Sequence, residues 1–571
     1  MSANSASASF VALSALRRKA LPPTPLFAAA LCIAAAVGLP VASVLAYVFT
    51  GSTGDTWAHL LDTVLAEYLV NTLLLCLGVG CGTLLLGVAT AWLTAMHDFP
   101  GRRIFEWALV LPLAVPAYVM AYVYTDLLQF VGPVQTWLRE TFIWTRADYW
   151  FPDVRSLGGA IAMFVFTLYV YVYLLARQSF LERASGMMEA ARTLGLGPWA
   201  GFFRVSLPLA RPAIAVGALL ALMETLADFG TVAYFGVPTF TTGIYRAWFA
   251  LGDRIAAAQL AAALLGFVVL LATLEQLSRR RARFHNTTGR NRPQHGQRLH
   301  GVTALAATLV CLLPLLMGFA LPAGLLLHMA LTEGDAQFGA RFLLLAGNSA
   351  TLAGLTALLA VLLAVVLAYG SRMAQRAAGA RGAGSAGLAH LLNRLVGLGY
   401  AVPGSVIAVG VLIPVTRLDH WLAAQWQGLS GENPGLLLTG GIAALIYAYL
   451  VRFLSVALQT VEASLGKITA SIDDAARSLG LGQAATLRRV HVPILRGSLL
   501  TAGLLVFVDV MKELPATLVM RPFNFDTLAT QAYTLAADER LAEASSAALT
   551  IVAVGILPLI AVSRQIARAR R

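Results

Sequence analysis

The chain has 571 residues, of which 58% are hydrophobic and only 12% charged, and its mean hydropathy is +0.74. A water-soluble protein of this length needs more charge on its surface, so the composition excludes that class and predicts an integral membrane protein. The net charge of +13 does not indicate a nucleic-acid partner, because the arginines lie in short segments between apolar runs. The four cysteines lie inside apolar runs and predict neither a disulfide framework nor a zinc site.

The apolar runs are long enough for twelve membrane-spanning helices, six in each half of the chain. The predicted spans lie near 26–48, 68–96, 104–130, 158–179, 207–235 and 255–277, and near 302–330, 345–370, 388–415, 436–460, 494–520 and 542–563. The two long spans that contain proline are expected to bend or break. Because six is an even number, the halves have the same orientation, related by an axis along the membrane normal. The predicted fold class is an all-α polytopic membrane protein built from two parallel six-helix repeats.

The distribution of basic residues predicts the orientation in the membrane. The loop after the first span contains acids but no lysine or arginine, whereas Arg102 and Arg103 occupy the turn after the second span. The first span therefore exits outward, and both termini are cytoplasmic. A basic segment precedes the first apolar run, but that run is too long for a cleaved signal peptide and is interpreted as a retained helix.

A basic segment separates the two predicted repeats. Residues 278–300 contain seven arginines and no acid. The predicted organisation is therefore a first repeat over 1–278, a cytoplasmic linker over 279–300 and a second repeat over 301–571. The linker is expected to be flexible and to contact anionic lipid headgroups.

One segment occurs twice in the chain and is the best-preserved sign of an internal duplication. Residues 189–208 read EAARTLGLGPWAGFFRVSLP, and residues 474–493 read DAARSLGLGQAATLRRVHVP, so the two copies align without a gap at one constant offset. The alanine pair permits close approach to another surface, the first glycine permits a change of direction, and the final proline suits the first turn of the next helix. The pattern predicts a cytoplasmic helix–turn–helix that docks on a soluble partner.

At these residues the chain resembles the membrane permeases of binding-protein-dependent ABC importers, whose cytoplasmic signature is E-A-A, then G, then a downstream L-P. The first copy matches it with Glu189, Ala190, Ala191, Gly195, Leu207 and Pro208. The second copy matches it with Asp474, Ala475, Ala476, Gly480, Val492 and Pro493, where Asp and Val depart from the usual Glu and Leu.

The resemblance implies the type I importer permease fold, located in the cell inner membrane. It also implies coupling segments at 186–208 and 471–493, each docking on one of two copies of a separate ABC ATPase, and an external substrate-binding protein. The chain has no G-x-x-x-x-G-K-[ST] sequence, since Gly466-Lys467 is followed by Ile468. We therefore expect no enzymatic activity and no cofactor in this chain, with ATP bound by the partner subunit.

Two pairs of acids follow the duplicated segments inside predicted spans. At the offset that relates the duplicated segments, Glu224 aligns with Asp509 and Asp228 aligns with Glu513. The acids of each pair stand at positions i and i+4 and share one helix face. Counted from Pro208, Asp228 lies about 30 Å along a helix, which predicts a position near the outer mouth.

Charges at membrane depth are costly, so the four acids need a function or a partner. In one interpretation they line the translocation pathway or its gate and attract a cation, and their hard oxygen ligands suit ferric iron. In the other they pair with Lys512, Arg246 or Arg521, or cap the broken ends of the span near Gly230 and Pro515. The sequence leaves both interpretations open and indicates no firm metal site.

The substrate expectation comes from a closer resemblance. The runs at 224–248 and 512–533 resemble those of ferric-iron permeases, in which both halves are fused in one chain. Fused permeases for thiamine and for aminophosphonates are similar in plan and remain alternatives. Rivals of other classes are an ion-coupled secondary transporter, which can also have two parallel six-helix halves, and a membrane enzyme that uses the intramembrane acids. The duplicated segments argue against the first rival, and the lack of a Ser/His or metal-ligand constellation argues against the second.

Overall fold

The computed structural model describes residues 25–49, 60, 62–280, 297–332, 339–381 and 384–569. Helices dominate, because a chain in lipid must satisfy its backbone hydrogen bonds within each spanning segment. The helices of the first half are α1 Pro25–Val48, α2 Leu65–Met96, α3 Arg102–Ala108, α4 Ala117–Leu128, α5 Pro133–Phe142, α6 Leu157–Thr193, α7 Pro198–Gly201, α8 Leu207–Ala227, α9 Gly230–Tyr234, α10 Phe240–Tyr245 and α11 Arg254–Arg280. Those of the second half are α12 Gly301–Leu315, α13 Leu321–Thr332, α14 Ala340–Arg381, α15 Gly384–Gly397, α16 Gly404–Ser430, α17 Ala443–Leu465, α18 Ala470–Ser478, α19 Gln483–Thr486, α20 Val492–Met511, α21 Pro515–Met520, α22 Leu528–Ala537 and α23 Leu541–Ala569.

The membrane spans agree closely with the predicted number. Within the described residues, eleven helices are long and apolar enough to cross a membrane. The bent pair Arg102–Ala114 and Ala117–Phe142 raises the number to twelve if it forms one span. The predicted all-α polytopic class is confirmed, and the strand content of the described residues is one short parallel bridge.

The third predicted span of each half, 104–130 and 388–415, is wrong as a continuous helix. In the first half the chain bends by 90° between the two helical parts, at Val115 and Pro116. In the second half α15 and a 3₁₀ turn end before Val402 and Pro403, and α16 then runs on to Ser430. The residue before a proline is forced out of the helical region, and both valines are extended.

The fifth predicted span of each half, 207–235 and 494–520, breaks as expected. In the first half α8 ends at Ala227 and the short helix α9 begins at Gly230. In the second half α20 ends at Met511 and the short helix α21 begins at Pro515. The starts of the two short helices align at the offset that relates the duplicated segments.

The duplication is also visible in the turns that precede these spans. A single π-helical turn, Phe202–Ser206, leads into α8, and the turn Leu487–His491 leads into α20. These turns align at the same offset. A capping box formed by Thr239 begins α10, and one formed by Thr527 begins α22. The two halves therefore share local backbone geometry as well as sequence.

The first helix of each half packs on the other half. Helix α1 lies against α14, α15 and α16 and also against α11 of its own half. Helix α12 lies against α2, α3 and the 3₁₀ turn at 111–114, and α13 lies against α4 and against α23 of its own half. Contact is close in both places, because a Cβ on Gly410 would overlap the carbonyl oxygen of Pro40, and a Cβ on Gly318 would overlap that of Phe166. The halves are thus held together by exchanged helices.

The predicted linker lies mostly outside the described residues, which resume at residue 297. Its end forms a parallel bridge in which His97–Asp98 (β1) pairs with Gln297–Arg298 (β2). The end of the linker therefore lies beside the turn that follows α2, and the sequence places both on the same side of the membrane.

We predict that Gly410→Ala destabilises the protein by about 1–3 kcal/mol, because the new methyl group overlaps the Pro40 carbonyl. The thermal unfolding midpoint in detergent measures the effect. Gly354→Ala is the matched control, since Gly354 also lies in a long helix and a Cβ there meets no atom within 4 Å. Equal midpoints for the two variants would show that the helix exchange does not require this contact.

Candidate functional site

The four acids singled out in the sequence lie around one cavity of about 110 Å³ between the two halves. Glu224 and Asp228 approach it from the first half, and Asp509 and Glu513 approach it from the second. The cavity is also lined by Phe164, Thr167, Leu168 and Tyr171 of α6 and by Arg452 and Phe453 of α17. These residues lie in the central part of their spans, Leu157–Leu181 and Ala443–Leu465.

The expected position of Asp228 near an outer mouth stays a prediction. The count of residues from Pro208 assumed that the membrane begins there. The long helix ends at Ala227, where the span breaks. Asp228 lies at this break and lines the same cavity as the central residues of α6.

The side chains of Asp228 and Glu513 bond to the first amides of the short helices after the breaks, each from the residue before the N-cap positions Phe229 and Leu514. The Oδ1 atom of Asp228 accepts a hydrogen bond of 2.8 Å from the Thr231 amide. The carboxylate of Glu513 accepts bonds from the Ala516 amide at 3.0 Å and from the amide and hydroxyl of Thr517 at 3.1 and 2.8 Å. The first amides of a helix have no partner within it, so a carboxylate here satisfies groups that lipid cannot. This geometry supports the structural interpretation for these two acids.

Glu224 and Glu513 share one cation, Arg452 of α17. Its Nη1 lies 3.2 Å from Glu513 Oε1, and its Nη2 lies 3.8 Å from Glu224 Oε2. Gly404 at the start of α16 leaves room for this arrangement, since a Cβ there would lie 2.7 Å from Glu513 Oε1 and 2.9 Å from Arg452 Nη1. One guanidinium thus joins a carboxylate of each half.

The fourth acid, Asp509, pairs with Lys512 at 3.0 Å. Four carboxylates and two cationic side chains line the cavity, which leaves a formal excess of two negative charges. Both cations belong to the second half. When the halves are aligned on the duplicated segments, the corresponding positions of the first half are Thr167 for Arg452 and Ala227 for Lys512.

Of the three basic partners that the sequence suggested, Lys512 is the one that lies at the cavity with the acids. Arg521 instead pairs with Asp526. Arg246 does not line the cavity that the described residues form. Sequence analysis missed Arg452, although an arginine in the middle of an apolar run is itself a signal of a buried partner.

Side chains of the first half also contact the break of the second half. The Tyr118 hydroxyl donates to the Lys512 carbonyl oxygen at 3.4 Å, and the Tyr245 hydroxyl donates to the carbonyl oxygen of Pro515. A Cβ on Gly230 would lie 2.7 Å from the Leu514 side chain. The two breaks therefore meet at the cavity. Among the described residues, no group of three or more His, Cys, Asp or Glu could hold a metal ion.

The duplicated segments have the predicted helix–turn–helix shape. Gly195 and Gly480 have φ angles of +82° and +78°, in the left-handed region that favours glycine. In both turns the amide after the glycine bonds back into the preceding helix, from Leu196 to the Ala191 carbonyl and from Leu481 to the Ala476 carbonyl, each at 3.0 Å. These bonds satisfy carbonyls at the helix end, as in a Schellman motif.

The two prolines of the duplicated segments lie where the sequence predicts, and the alanines are buried in one position of each pair. Ala191 and Ala476 are buried, Ala475 is exposed, and Pro208 and Pro493 lie in the first turns of α8 and α20. The side chains of Glu189 and Ala190 lie outside the described residues. Asp474 is exposed and lies 3.8 Å from Arg477.

Asp473, the neighbour of the predicted Asp474, is the acid that anchors the second segment. Its carboxylate contacts Arg372 of α14 at 2.8 Å and His491 of the π turn at 2.5 Å. Arg372 also donates to the carbonyl oxygens of Leu465 and Ile468, at 2.8 and 2.7 Å. Burial of the Asp473 carboxyl opposes its ionisation, but the charge and hydrogen bonds of Arg372 and His491 outweigh that effect and lower the pKa of Asp473.

The corresponding positions of the first half carry residues that cannot form this network. Met188 and Ser206 stand where the second half has Asp473 and His491. Helix α6 moreover runs without interruption to Thr193, whereas the second half has a break between α17 and α18 at residues 466–469. The two duplicated segments are therefore attached to the bundle differently.

Comparison with known proteins decides the family. Residues 83–284 match the family described as the binding-protein-dependent transport system inner membrane component. The molybdenum transport system permease protein ModB of Escherichia coli is 35% identical over 212 residues, which are 34% of this chain and 87% of that protein. This chain is a permease of that family. It belongs to an ABC importer and has the type I permease fold.

Two further relatives show how far the similarity of the permease extends. The Fe(3+)-transport system permease protein FbpB 2 of Haemophilus influenzae is 26% identical over 538 residues, covering 92% of the permease and 95% of that protein. The probable sulfate transport system permease protein cysT of Chlorokybus atmophyticus is 30% identical over 198 residues, covering 34% of the permease and 65% of that protein. The ferric-iron relative is thus similar to both halves of the permease, whereas the molybdenum and sulfate relatives are each similar to about one third of it.

We predict that Glu513→Ala lowers the free energy of unfolding of the permease by about 3–5 kcal/mol, because it leaves Arg452 and the first amides of α21 without their partner. Asp509→Ala is the matched comparison, and we expect a loss of about 1 kcal/mol, since Asp509 and Lys512 are partly exposed. Thermal unfolding in detergent measures both. Equal losses would contradict the capping role of Glu513.

Proposed function

We propose that this permease imports ferric iron delivered by an external binding protein, with the central cavity as part of the pathway. The observation that carries the proposal is the formal excess of two negative charges among the side chains that line the cavity. The ferric-iron relative, which is similar along 92% of the chain, supports the same substrate. An excess of carboxylates favours a hard cation over an anion.

The second candidate is import of an oxyanion. Arg452 and Lys512 line the same cavity, and the relatives named for molybdenum and sulfate transport are similar to one third of the chain. Thiamine and aminophosphonates are further candidates. In each case the proposed architecture stays the same and only the cargo differs.

The substrate is tested by ATP-dependent uptake into vesicles that contain the permease, its ATPase and its binding protein. Labelled ferric iron, molybdate, sulfate, thiamine and an aminophosphonate are compared with and without ATP. Uptake of iron alone supports the proposal. ATP-dependent uptake of another compound would discard iron, and ATP-independent uptake would indicate a secondary transporter.

For the pathway, we predict that Glu224→Gln lowers ferric uptake by roughly tenfold, because it removes a cavity carboxylate whose ion pair with Arg452 is long, at 3.8 Å. Initial uptake rates at a fixed amount of reconstituted permease measure the effect. Glu432→Gln is the control, since Glu432 lies exposed in a loop. Unchanged uptake by the Glu224 variant would favour a purely structural role for the acids.

We further propose that the segments 186–208 and 471–493 each dock on one of two ATPase copies, with both termini and the linker on the cytoplasmic side. The parallel halves present two such segments in one direction, as a two-fold ATPase dimer requires. ATP-driven closure of that dimer moves the docked segments together and switches access to the cavity. The different anchoring of the two segments makes their contacts with the ATPase unequal.

For coupling, we predict that Gly480→Val weakens ATPase binding while the membrane fold survives. A β-branched residue is strained at a positive φ, yet a Cβ at Gly480 meets no atom of the chain within 4 Å. Co-purification of the ATPase measures binding, and Gly195→Val is measured in parallel. Gly480→Asn is the control, since asparagine tolerates this conformation. Normal ATPase binding and transport by the valine variants would show that the coupling assignment is wrong.

A further inference from the structure

Arg452 differs from an ordinary buried arginine because its charge is shared between the two halves of the permease. It is the basic residue of the apolar helix α17, and only 7% of it is exposed. Its guanidinium lies 3.2 Å from a carboxylate of its own half, that of Glu513, and 3.8 Å from a carboxylate of the other half, that of Glu224.

The guanidinium of Arg452 makes fewer hydrogen bonds than it could. Its Nε atom makes no hydrogen bond with any residue that the structure describes. The 3.8 Å contact with Glu224 is an ion pair that is too long for a hydrogen bond. Glu513, by contrast, keeps the amides of Ala516 and Thr517 whether or not Arg452 is present. Moving the guanidinium away therefore costs Glu513 only one of its partners.

Only the second half has both an arginine at this position of the helix and a glycine that leaves room for its guanidinium. Gly404 leaves the space that the guanidinium and Glu513 fill, whereas Ala117 begins the corresponding helix α4. Thr167 occupies the place of Arg452 in the first half, and its hydroxyl bonds to the Met163 carbonyl of its own helix. The cavity thus contains one guanidinium that reaches carboxylates of both halves.

We propose that Arg452 is a tethered counter-cation that occupies Glu224 and Glu513 in the empty permease and that a substrate cation displaces from these carboxylates. This inference rests on the proposed cation pathway. A cation that passes the cavity competes with the guanidinium for the same oxygens. Coulomb attraction grows with the charge of the ion, so a trivalent ion displaces Arg452 more readily than a divalent one.

The test measures cation binding without the binding protein, which would otherwise select the ion first. The permease–ATPase complex in lipid nanodiscs is titrated with Mn²⁺, and electron paramagnetic resonance follows the free ion. Gadolinium(III) is then added as a soluble trivalent competitor. We expect Arg452→Gln to tighten the binding of Mn²⁺ and of gadolinium by roughly tenfold each, because the cost of displacing the guanidinium is the same for both ions.

Two further variants make the result specific. Arg177→Gln is the matched control, because Arg177 is also 7% exposed and pairs with an acid, Glu106, at 3.4 Å, but does not line the cavity. We expect it to bind Mn²⁺ as the unaltered permease does. Arg452→Lys keeps the charge on a single ammonium group, so its Mn²⁺ affinity should lie between those of the Arg and Gln forms.

If Arg452→Gln binds Mn²⁺ with unchanged affinity, the inference is overturned. The proposed function still stands in that case, provided that the unaltered permease takes up ferric iron. If Arg452→Gln does not fold, Arg452→Lys decides, and an Mn²⁺ affinity identical to that of the unaltered permease overturns the inference. A permease that takes up no cation at all overturns the proposed function and the inference together.

Discussion

The arrangement at the centre of this permease depends on the need to satisfy backbone amides where a membrane helix breaks. Lipid offers no hydrogen-bond acceptor, so the first amides of α9 and α21 need one from the protein. Asp228 and Glu513 supply it. Each carboxylate then carries a charge to the middle of the membrane, where a neighbouring cation must stabilise it or water must reach it. The cavity, the basic residues around it and the glycine beside them all follow from that requirement.

The two halves meet the requirement differently, although they share a backbone plan. In the second half Asp509 has Lys512 and Glu513 has Arg452 as partner. Among the described residues that line the cavity, the first half provides no cation, and Glu224 has a hydrogen bond with Tyr400 and a long ion pair with Arg452 of the second half. The duplicated segments also differ between the halves. The second half anchors its segment through the Asp473 network, and the residues of that network are replaced in the first half. A two-fold plan of helices therefore carries an asymmetric distribution of charge.

Sequence analysis could predict what repeats along the chain, because a duplication is visible without any knowledge of contacts. It identified the spans, the turns at Gly195 and Gly480 and the two aligned pairs of acids. It could not predict that Arg452 joins Glu224 to Glu513, because these residues are far apart in sequence and only packing brings them together. It chose Asp474 by its position in the motif, whereas burial selects Asp473. The apolar runs through Pro116 and Pro403 were predicted as single spans, because hydropathy depends on composition and carries no information on where the backbone bends.

The exchange of first helices has a consequence for assembly. Since α1 packs largely on the second half and α12 packs on the first, neither half is a closed unit, and each is completed by a helix of the other. Joining the halves in one polypeptide fixes their stoichiometry at one to one and prevents the pairing of two identical halves. Two first halves would surround the cavity with four carboxylates and no counter-charge, and two second halves would bring four cations to four carboxylates. Fusion of the two different halves therefore gives every transporter a cavity with four carboxylates and two cations, which neither symmetric dimer would have.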